Sequence, residues 1–505
     1  MRRGLERFCF RNREASEMAG NSTATLALSQ PGEEVKPFTP GEAKEIVMSL
    51  QEPAVFCNMA CDWPALHWNV TYLAKLLAGK RILFRMGMKD MGTAPLFETK
   101  CSYVEATLEE FLAWSLREPS CSSGPFSGYE SCKYWAYADY KYIASLFEDN
   151  PEEFKDVRWS DFGFSGRDGR ESTLWVGTSG ANTPCHLDSY GCNLVLQVQG
   201  RKRWHLYPPE DSSFLYPTRI PYEESSVFSK VNVVNPDLKC FPQFKKAQTR
   251  IVTVNPGQIL FVPRHWWHYV ESIDPITVSI NSWIELDTDH EARVEEAITR
   301  TLICAIKSAD HLSTSDSWLN PTETDVTSHK TNLQYLNAAV SGYLEHQKLK
   351  KTEHRVPGTP NTEETFEGSH KRRKVQMDAD ESFKLMPCEA NLATIKTKKL
   401  EKIPFGQNLL KVLLQSQQTN PTETVESDFK DFLRENEGHL EKPHCAGTTS
   451  VTNNNSGAVV DQKDPSSTAS STRAGICTND LLDCVLSPQV VSIVARLLLE
   501  RARLA

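Results

Sequence analysis

The chain has 505 residues, of which 39% are hydrophobic and 24% are charged, and its net charge at pH 7 is −9. This length corresponds to about two to four domains, or to one large domain with attached tails. The acidic balance argues against a protein that coats nucleic acid, and no uninterrupted apolar run approaches the roughly 18 residues of a membrane span.

The folded part is predicted to begin near residue 36, after a flexible N-terminus of residues 1–35. That N-terminus is rich in Arg but lacks the long apolar run of a secretory signal, and translation could begin at either Met1 or Met18.

The 14 Cys of the chain include no C-x-x-C pair, which argues against a zinc ribbon or treble clef. We therefore expect reduced thiols and a cytoplasmic protein.

Two capping signatures predict helices in the first part of the chain. Thr39, Pro40 and Glu42 match the N-cap, N1 and N3 positions of a helix that runs to about residue 50. Thr107 and Glu110 repeat the Thr-x-x-Glu signature ahead of a second helix. From about residue 171 to residue 284, short apolar runs broken by Gly, Pro and Asp predict many strands. We expect a mainly β fold, a sandwich or a barrel, with flanking helices.

Further helices are predicted in residues 288–348 and 477–505. Thr288 and Glu291 form a capping box, and apolar residues then recur at four-residue spacing. The two apolar stripes consist of Val294, Ile298, Leu302 and Ile306, and of Leu336, Val340 and Leu344. These stripes either pack on the protein's own β fold or form the contact face of a homodimer. The amphipathic segment at the end is either a distant piece of the core or a partner-docking helix, and we favour docking.

Bulky apolar residues become scarce after the first two thirds of the chain. All eleven Trp lie between Trp63 and Trp318. Residues 349–476 cannot bury enough apolar surface to offset the entropy of ordering, so we predict a disordered tail there. Residues 371–374 (KRRK) are either a nuclear import signal, which would add a nuclear location, or ordinary solvated charge.

The residues with the clearest chemical pattern lie between 183 and 283. His186 and Asp188 are two residues apart, and in a strand such residues point to the same face. Residues 256–268 (PGQILFVPRHWWH) predict a turn, an apolar strand and a Trp-rich stretch that contains His265 and His268. One of these His residues would complete a set of two His and one carboxylate, which is the ligand set of non-haem Fe(II) oxygenases. Spacing alone leaves the choice between them open.

These motifs resemble those of the JmjC-domain oxygenases of the cupin superfamily, especially the asparaginyl and histidinyl hydroxylases related to the factor inhibiting hypoxia-inducible factor. Residues 54–68 (AVFCNMACDWPALHW) resemble the entry segment of that group. Three further segments are similar to JmjC proteins that associate with a small heat-shock protein: YWAYADYKY, TPCHLDSYGCN and PRHWWHYVESIDP. The resemblance covers about half of the chain. It implies a double-stranded β-helix, the cupin or JmjC jelly roll, over residues 36–287.

The resemblance also implies the residues of a site. His186, Asp188 and His268 match the Fe(II) ligands of the family, which favours His268 over His265. Lys202 matches the Lys that holds the C5 carboxylate of 2-oxoglutarate. The remaining residues match groups that surround this co-substrate, with Tyr134 as a rival for the Tyr position: Thr183, Tyr137, Asn193 and Asn281.

An Fe(II)- and 2-oxoglutarate-dependent protein hydroxylase that associates with a small heat-shock protein in cellular stress is therefore the expected function. A catalytically weak or inactive interaction protein on the same fold is the first alternative. A tRNA-base hydroxylase and a histone demethylase are further alternatives. The acidic balance gives the tRNA hypothesis no support, and the demethylase hypothesis is weakened because no PHD, Tudor or zinc module is recognisable.

Overall fold

The structure, a computed structural model, describes residues 36–90, 92–116, 124–309, 318–323, 326–353, 402–417 and 478–504. The predicted flexible residues 1–35 and the basic residues 371–374 lie outside the described residues, as does most of the predicted tail.

Eight α-helices are present in the described part of the chain. They are α1 Pro40–Ser49, α2 Val70–Leu76, α3 Leu108–Ser115, α4 Ile143–Leu146, α5 Asp289–Ala309, α6 His329–Glu353, α7 Thr478–Val485 and α8 Pro488–Leu504. The capping boxes predicted at Thr39 and Thr107 are confirmed. Each Thr side chain accepts a hydrogen bond from the backbone amide of the N3 Glu, and the side chain of that Glu accepts one from the backbone amide of the Thr.

Among the described helices, none is long and apolar enough by itself to span a membrane. Helices α7 and α8 meet the length and composition criteria only as a pair, which is bent by 56°.

Within the described ranges, fifteen strands form two antiparallel sheets. They are β1 Ala54–Phe56, β2 Ile82–Met88, β3 Ser102–Ala106, β4 Tyr134–Tyr142, β5 Thr173–Thr178, β6 Asn182–Asp188, β7 Cys192–Gln199, β8 Lys202–Tyr207, β9 Pro217–Glu223, β10 Ser226–Ser229, β11 Arg250–Val254, β12 Ile259–Val262, β13 Trp267–Ser272, β14 Ile276–Ile284 and β15 Leu409–Lys411. The nine-stranded sheet has the order β15-β1-β12-β7-β14-β5-β4-β2-β3, and the six-stranded sheet has the order β11-β8-β13-β6-β10-β9. The predicted mainly β fold with flanking helices is confirmed.

Alternation along the strands separates the apolar core from a polar interior. On β14, Ile280 belongs to the large cluster that also contains residues of α1 to α4, whereas its neighbours Ser279 and Asn281 point to the opposite face of the sheet. The same alternation on β7 separates Leu194 from Asn193. The opposite face meets the six-stranded sheet, because Lys202 on β8 hydrogen-bonds Ser279 on β14. The polar residues of the sheets therefore converge between them.

The predicted apolar stripes of α5 and α6 are covered by the same chain. Val294 and Ile298 on α5 pack with Val491 and Ala495 on α8, and Leu336 of α6 joins the same cluster. Burying these stripes therefore requires no second copy, and a homodimer stays a prediction. The last helix, α8, packs against α5 as a distant piece of the core. We had favoured the other alternative, a partner-docking helix.

Part of the predicted disordered tail is folded. Residues 402–417 include β15, which pairs with β1 at the edge of the nine-stranded sheet, and α6 continues to Glu353, past the predicted boundary. The prediction of disorder is wrong for these residues. Leu409 and Val412 are both buried, so a segment of 16 residues finds apolar partners although the average composition of residues 349–476 is polar.

Candidate metal centre

Three of the predicted site residues lie side by side on neighbouring strands. His186 and Asp188 are on β6, and His268 on β13 is paired directly with His186. Their candidate ligand atoms all lie within 4.8 Å of one another. The two imidazole centroids are 4.2 Å apart. The Nε2 atom of His186 is 3.8 Å from Oδ1 of Asp188.

Hydrogen bonds orient all three side chains. His186 donates from Nδ1 to the carbonyl of Pro184 at 2.9 Å, and His268 donates from Nδ1 to the carbonyl of Trp266 at 2.9 Å. Because a carbonyl only accepts, each Nδ1 carries a proton, and in the neutral form of either ring the free lone pair is therefore on Nε2. Trp283 donates from Nε1 to Oδ2 of Asp188 at 3.2 Å, which orients the carboxylate.

The electrostatics keep the first imidazole neutral. Burial, with a smaller contribution from the neighbouring His268, lowers the pKa of His186 to about 4, although Asp188 opposes both effects. A neutral imidazole is the form that ligates a metal ion. Two such nitrogens and one carboxylate occupy one face of an octahedron and leave the remaining positions open, which suits non-haem Fe(II).

His265, the rival candidate, lies outside this set. It has a φ of 65°, in the left-handed region, just before β13 begins. Its Nε2 atom is 3.0 Å from the carbonyl of Ser189 and 3.0 Å from Nε of Arg264. The ring is therefore bound to neighbouring groups, and the geometry favours His268 as the second imidazole.

Lys202 is buried beside the metal centre, with only 2% of its surface exposed. Its ammonium group donates to Oγ of Ser279 at 2.7 Å and to the phenol of Tyr137 at 3.2 Å. Burial lowers the pKa of Lys202 to about 7, and the charge of Asp139 opposes this shift. Among the described residues, no carboxylate forms an ion pair with this ammonium group, so it is a buried cation that lacks an anion.

Asp139, the carboxylate whose charge raises the pKa of Lys202, is already paired with another cation. Arg85 is fully buried and donates from Nε to Asp139 at 2.6 Å. It also donates to the carbonyl of Asn182 at 2.8 Å, at the start of β6. The charge of Asp139 is thus held by Arg85, which leaves Lys202 available to a ligand.

The Tyr candidates are distinguished by their positions on β4. Tyr137 is buried against Lys202, and its phenol is also hydrogen-bonded to Thr183. Burial raises the pKa of Tyr137, so the phenol stays protonated and able to donate. Tyr134 instead packs against Tyr129, with ring centroids 5.1 Å apart. The structure therefore places Tyr137 and Thr183 at the site and Tyr134 away from it.

The two Asn candidates form a short chain of hydrogen bonds. Trp175 donates from Nε1 to the side-chain oxygen of Asn281 at 2.7 Å, and Asn281 donates to the side-chain oxygen of Asn193 at 2.9 Å. All three residues lie on the inner face of the nine-stranded sheet, on β5, β14 and β7. Each donor fixes the orientation of the next amide, so this wall of the site is preorganised.

Sequence reasoning missed three residues of the site: Ser279, Trp175 and Trp283. The signal for two of them was present, since Ser279 and Trp283 are two residues on either side of Asn281 and share its face of the strand. Trp175 lies on another strand, and its role follows only from the pairing of β5 with β14.

Comparison with known proteins places this geometry in a family. Residues 40–290 match the model of the Cupin-like domain. The chain is 55% identical to human "HSPB1-associated protein 1" over 494 residues, which cover 96% of this chain and 99% of that protein. It is 50% identical to the zebrafish "HSPB1-associated protein 1 homolog", over 93% of this chain and 98% of that protein.

A more distant similarity covers about half of the chain. The frog (Xenopus tropicalis) protein "Lysine-specific demethylase 8" is 26% identical over 240 residues, which cover 46% of this chain and 48% of that protein. The predicted cupin and JmjC fold class is confirmed by these matches together with the two antiparallel sheets.

Proposed function

The chain belongs to the family of cupin-like JmjC proteins that includes HSPB1-associated protein 1, and from this membership we propose that it is an Fe(II)- and 2-oxoglutarate-dependent protein hydroxylase associated with a small heat-shock protein. The observation that carries the proposal is the convergence of His186, Asp188 and His268 beside the unpaired buried cation of Lys202.

The donor set fits Fe(II). Two neutral imidazoles and one carboxylate would hold the ion through Nε2 of His186, Nε2 of His268 and a carboxylate oxygen of Asp188. When bound together, Fe(II) and 2-oxoglutarate supply the O₂ activation that hydroxylates a C–H bond of a substrate. The backbone carbonyls behind both His rings and the indole of Trp283 keep the three ligands in one orientation.

The environment of Lys202 fits the distal carboxylate of 2-oxoglutarate. A buried ammonium group without a counter-ion is costly, and an incoming carboxylate would relieve that cost. Ser279, Tyr137 and Thr183 surround the same point with hydroxyl groups that can donate to a carboxylate oxygen. The aromatic rings of Tyr137 and Trp175 lie 5.1 and 5.9 Å from the ammonium nitrogen, and these apolar surfaces would shield a bound carboxylate from water.

Association with a small heat-shock protein is proposed from the names of the relatives at 50–55% identity. A chaperone of this class is then the first candidate substrate as well as the first candidate partner. We propose a cytoplasmic location for the pair. The test is co-purification of the full chain with the small heat-shock protein, followed by mass spectrometry for the addition of one oxygen atom to the chaperone.

The site itself is tested by anaerobic titration with Fe(II) and 2-oxoglutarate, with the visible metal-to-ligand charge-transfer band as the readout. We expect a band in the wild-type protein and in His265→Ala, but none in His268→Ala. We expect Lys202→Met to need a higher 2-oxoglutarate concentration for the same band. The absence of a band in the wild-type protein, under conditions in which a related oxygenase shows one, would leave the fold with a binding function alone.

Demethylation is the second candidate activity, and the similarity to the frog protein "Lysine-specific demethylase 8" favours it. The same site would hydroxylate an N-methyl group, and the product would release formaldehyde. Measuring formaldehyde and hydroxylated peptide in the same reaction distinguishes the two activities.

A further inference from the structure

Residues 402–417 join the free edges of the two sheets. β15 pairs with β1 at the edge of the nine-stranded sheet, with Val55 opposite Leu410. A few residues later, Leu414 forms a bridge with Arg250, and the amide of Gln415 donates to the carbonyl of Thr249 at 2.9 Å. Arg250 begins β11, the edge strand of the six-stranded sheet. This segment therefore closes the seam between the sheets.

Two apolar side chains anchor the segment. Leu409 is buried in the large cluster of the nine-stranded sheet, and Val412 is buried in a second cluster with Val55 and Trp266. Leu410 and Leu413 are 41% and 42% exposed, so their side chains bury less apolar surface than those of the two anchors. The segment is thus held by defined contacts, and its exposed residues provide matched controls.

Arg250 connects the segment to the interior. Its Nη1 atom donates to the carbonyl of Val412 at 3.1 Å and to Oε2 of Glu52 at 3.3 Å. Glu52 also forms an ion pair with Lys411 at 3.0 Å. The guanidinium carbon of Arg250 lies 5.3 Å from the ring centroid of Trp266. A detached segment would leave this guanidinium group without the carbonyl that holds it over the indole.

Trp266 in turn supports the metal centre. Its Nε1 atom donates to the carbonyl of Gln51 at 2.9 Å, and its own carbonyl accepts the Nδ1 proton of His268 at 2.9 Å. That last hydrogen bond orients the imidazole of His268. The contacts therefore run from Val412 through Arg250 and Trp266 to a candidate metal ligand.

We propose that residues 402–417 are a positioning segment for the metal centre, acting on His268 through Arg250 and Trp266. The inference rests on the proposed function, because it takes His268 as a metal ligand. Groups behind a metal ligand typically change metal affinity by about 10- to 100-fold when they are removed. The segment lies outside the residues matched to the Cupin-like domain, so the proposal gives a positioning role to a part of the chain beyond that domain.

The test compares Val412→Asp with Leu413→Asp in the full chain, using Mn²⁺ as the probe. Val412→Asp places a charge in an apolar cluster and should detach the segment, whereas Leu413→Asp changes an exposed residue. We expect Mn²⁺ affinity to fall about tenfold in Val412→Asp and to stay unchanged in Leu413→Asp. Adding a synthetic peptide of residues 402–417 should restore the affinity of Val412→Asp.

A double-mutant cycle separates positioning from general destabilisation. Arg250→Gln should weaken Mn²⁺ binding while the apolar anchors stay in place, and Val412→Asp should add less than about a twofold loss in that background. Rapid exchange of the β1 amides in Val412→Asp would show that the segment has detached. If Mn²⁺ affinity were nevertheless unchanged in that variant, the proposal would be overturned. It would also be overturned if the losses of Mn²⁺ affinity in Arg250→Gln and Val412→Asp were fully additive in the double mutant.

Amide hydrogen exchange without metal keeps this test independent of the proposed function. We expect faster exchange at residues 266–270 in Val412→Asp than in Leu413→Asp. If the wild-type protein binds no Mn²⁺, the proposed function fails, and the exchange comparison still decides whether the segment positions this stretch. Equal exchange in the two variants would refute the coupling.

Discussion

The ammonium group of Lys202 lies 2.7 Å from the hydroxyl of Ser279, and within the described structure no carboxylate pairs with it. Lys202 is on the six-stranded sheet and Ser279 is on the nine-stranded sheet, so this contact joins the two sheets at the candidate site. An unpaired buried cation costs stability, and such costs are concentrated at functional sites. Two predictions follow from the pKa of this group.

The affinity for 2-oxoglutarate should fall as the pH rises above about 7. Burial lowers the pKa of Lys202 to about 7 in the free protein, and a carboxylate ligand binds its charged form. Above that pKa, Lys202 must take up a proton from solvent before the carboxylate can bind, so affinity should fall by up to about tenfold per pH unit. Titration of 2-oxoglutarate at about pH 6, 7 and 8, which are roughly one unit below the pKa, at the pKa and one unit above it, measures this effect.

Lys202→Arg is the control for that pH dependence. The guanidinium group stays charged throughout this range, so its curve should be flat even if its affinity is lower overall. A wild-type affinity that is independent of pH would contradict the assignment of Lys202 as the carboxylate-binding cation.

Lys202→Met should stabilise the protein most at pH 6 when no ligand is present. Below pH 7 the Lys is charged in both the folded and the unfolded states, so folding bears the full cost of burying it. Between about pH 7 and the unfolded pKa of about 10.4, the folded state releases the proton first, so wild-type stability rises with pH and the advantage of Lys202→Met shrinks. Thermal unfolding at pH 6 and pH 9 (about two units above the folded pKa) measures the difference, with the exposed Lys239→Met as control.

Trp283→Phe should weaken metal binding without unfolding the protein. The substitution keeps an aromatic ring but removes the N–H group that donates to Asp188 at 3.2 Å. Loss of a hydrogen bond to a metal-ligating carboxylate typically lowers metal affinity by about tenfold or more. Trp114→Phe is the matched control, because that indole donates to the carbonyl of Tyr129 in the helical part of the core. Mn²⁺ titration of both variants is the measurement, and equal affinities would show that Trp283 does not orient Asp188.

The candidate ligands could be predicted because strand geometry acts locally. A spacing of two residues places His186 and Asp188 on one face of β6 whatever the rest of the fold does. The choice between His265 and His268 was open because His265 adopts a left-handed backbone conformation just before β13. Side chains therefore do not alternate regularly between the two faces of a strand across this stretch. Spacing cannot reveal such a break in the backbone.

The contacts between the sheets could not be predicted in the same way. Trp175 reaches Asn281 only because β5 and β14 are neighbours, and this pairing depends on the whole topology. The folded segment around Val412 was missed for a different reason. A composition averaged over residues 349–476 conceals a short stretch in which Leu409 and Val412 each find a separate apolar cluster.

Gly200→Ala should disturb the protein more than Gly257→Ala, although both glycines adopt left-handed backbone conformations. Gly200 has a φ of 62°, and a Cβ atom there would lie 2.3 Å from the carbonyl oxygen of Ile276. Gly257 has a φ of 83°, but a Cβ atom there would meet nothing within 4 Å. Each substitution bears the left-handed penalty of about 1–2 kcal/mol, and only the first adds a clash with the backbone. Because Gly200 begins the two-residue connection from β7 to β8, which starts at Lys202, its displacement should also lower the affinity for 2-oxoglutarate. Chemical denaturation and 2-oxoglutarate titration of both variants measure the two effects, and equal losses of stability would show that the clash is relieved by movement of Ile276.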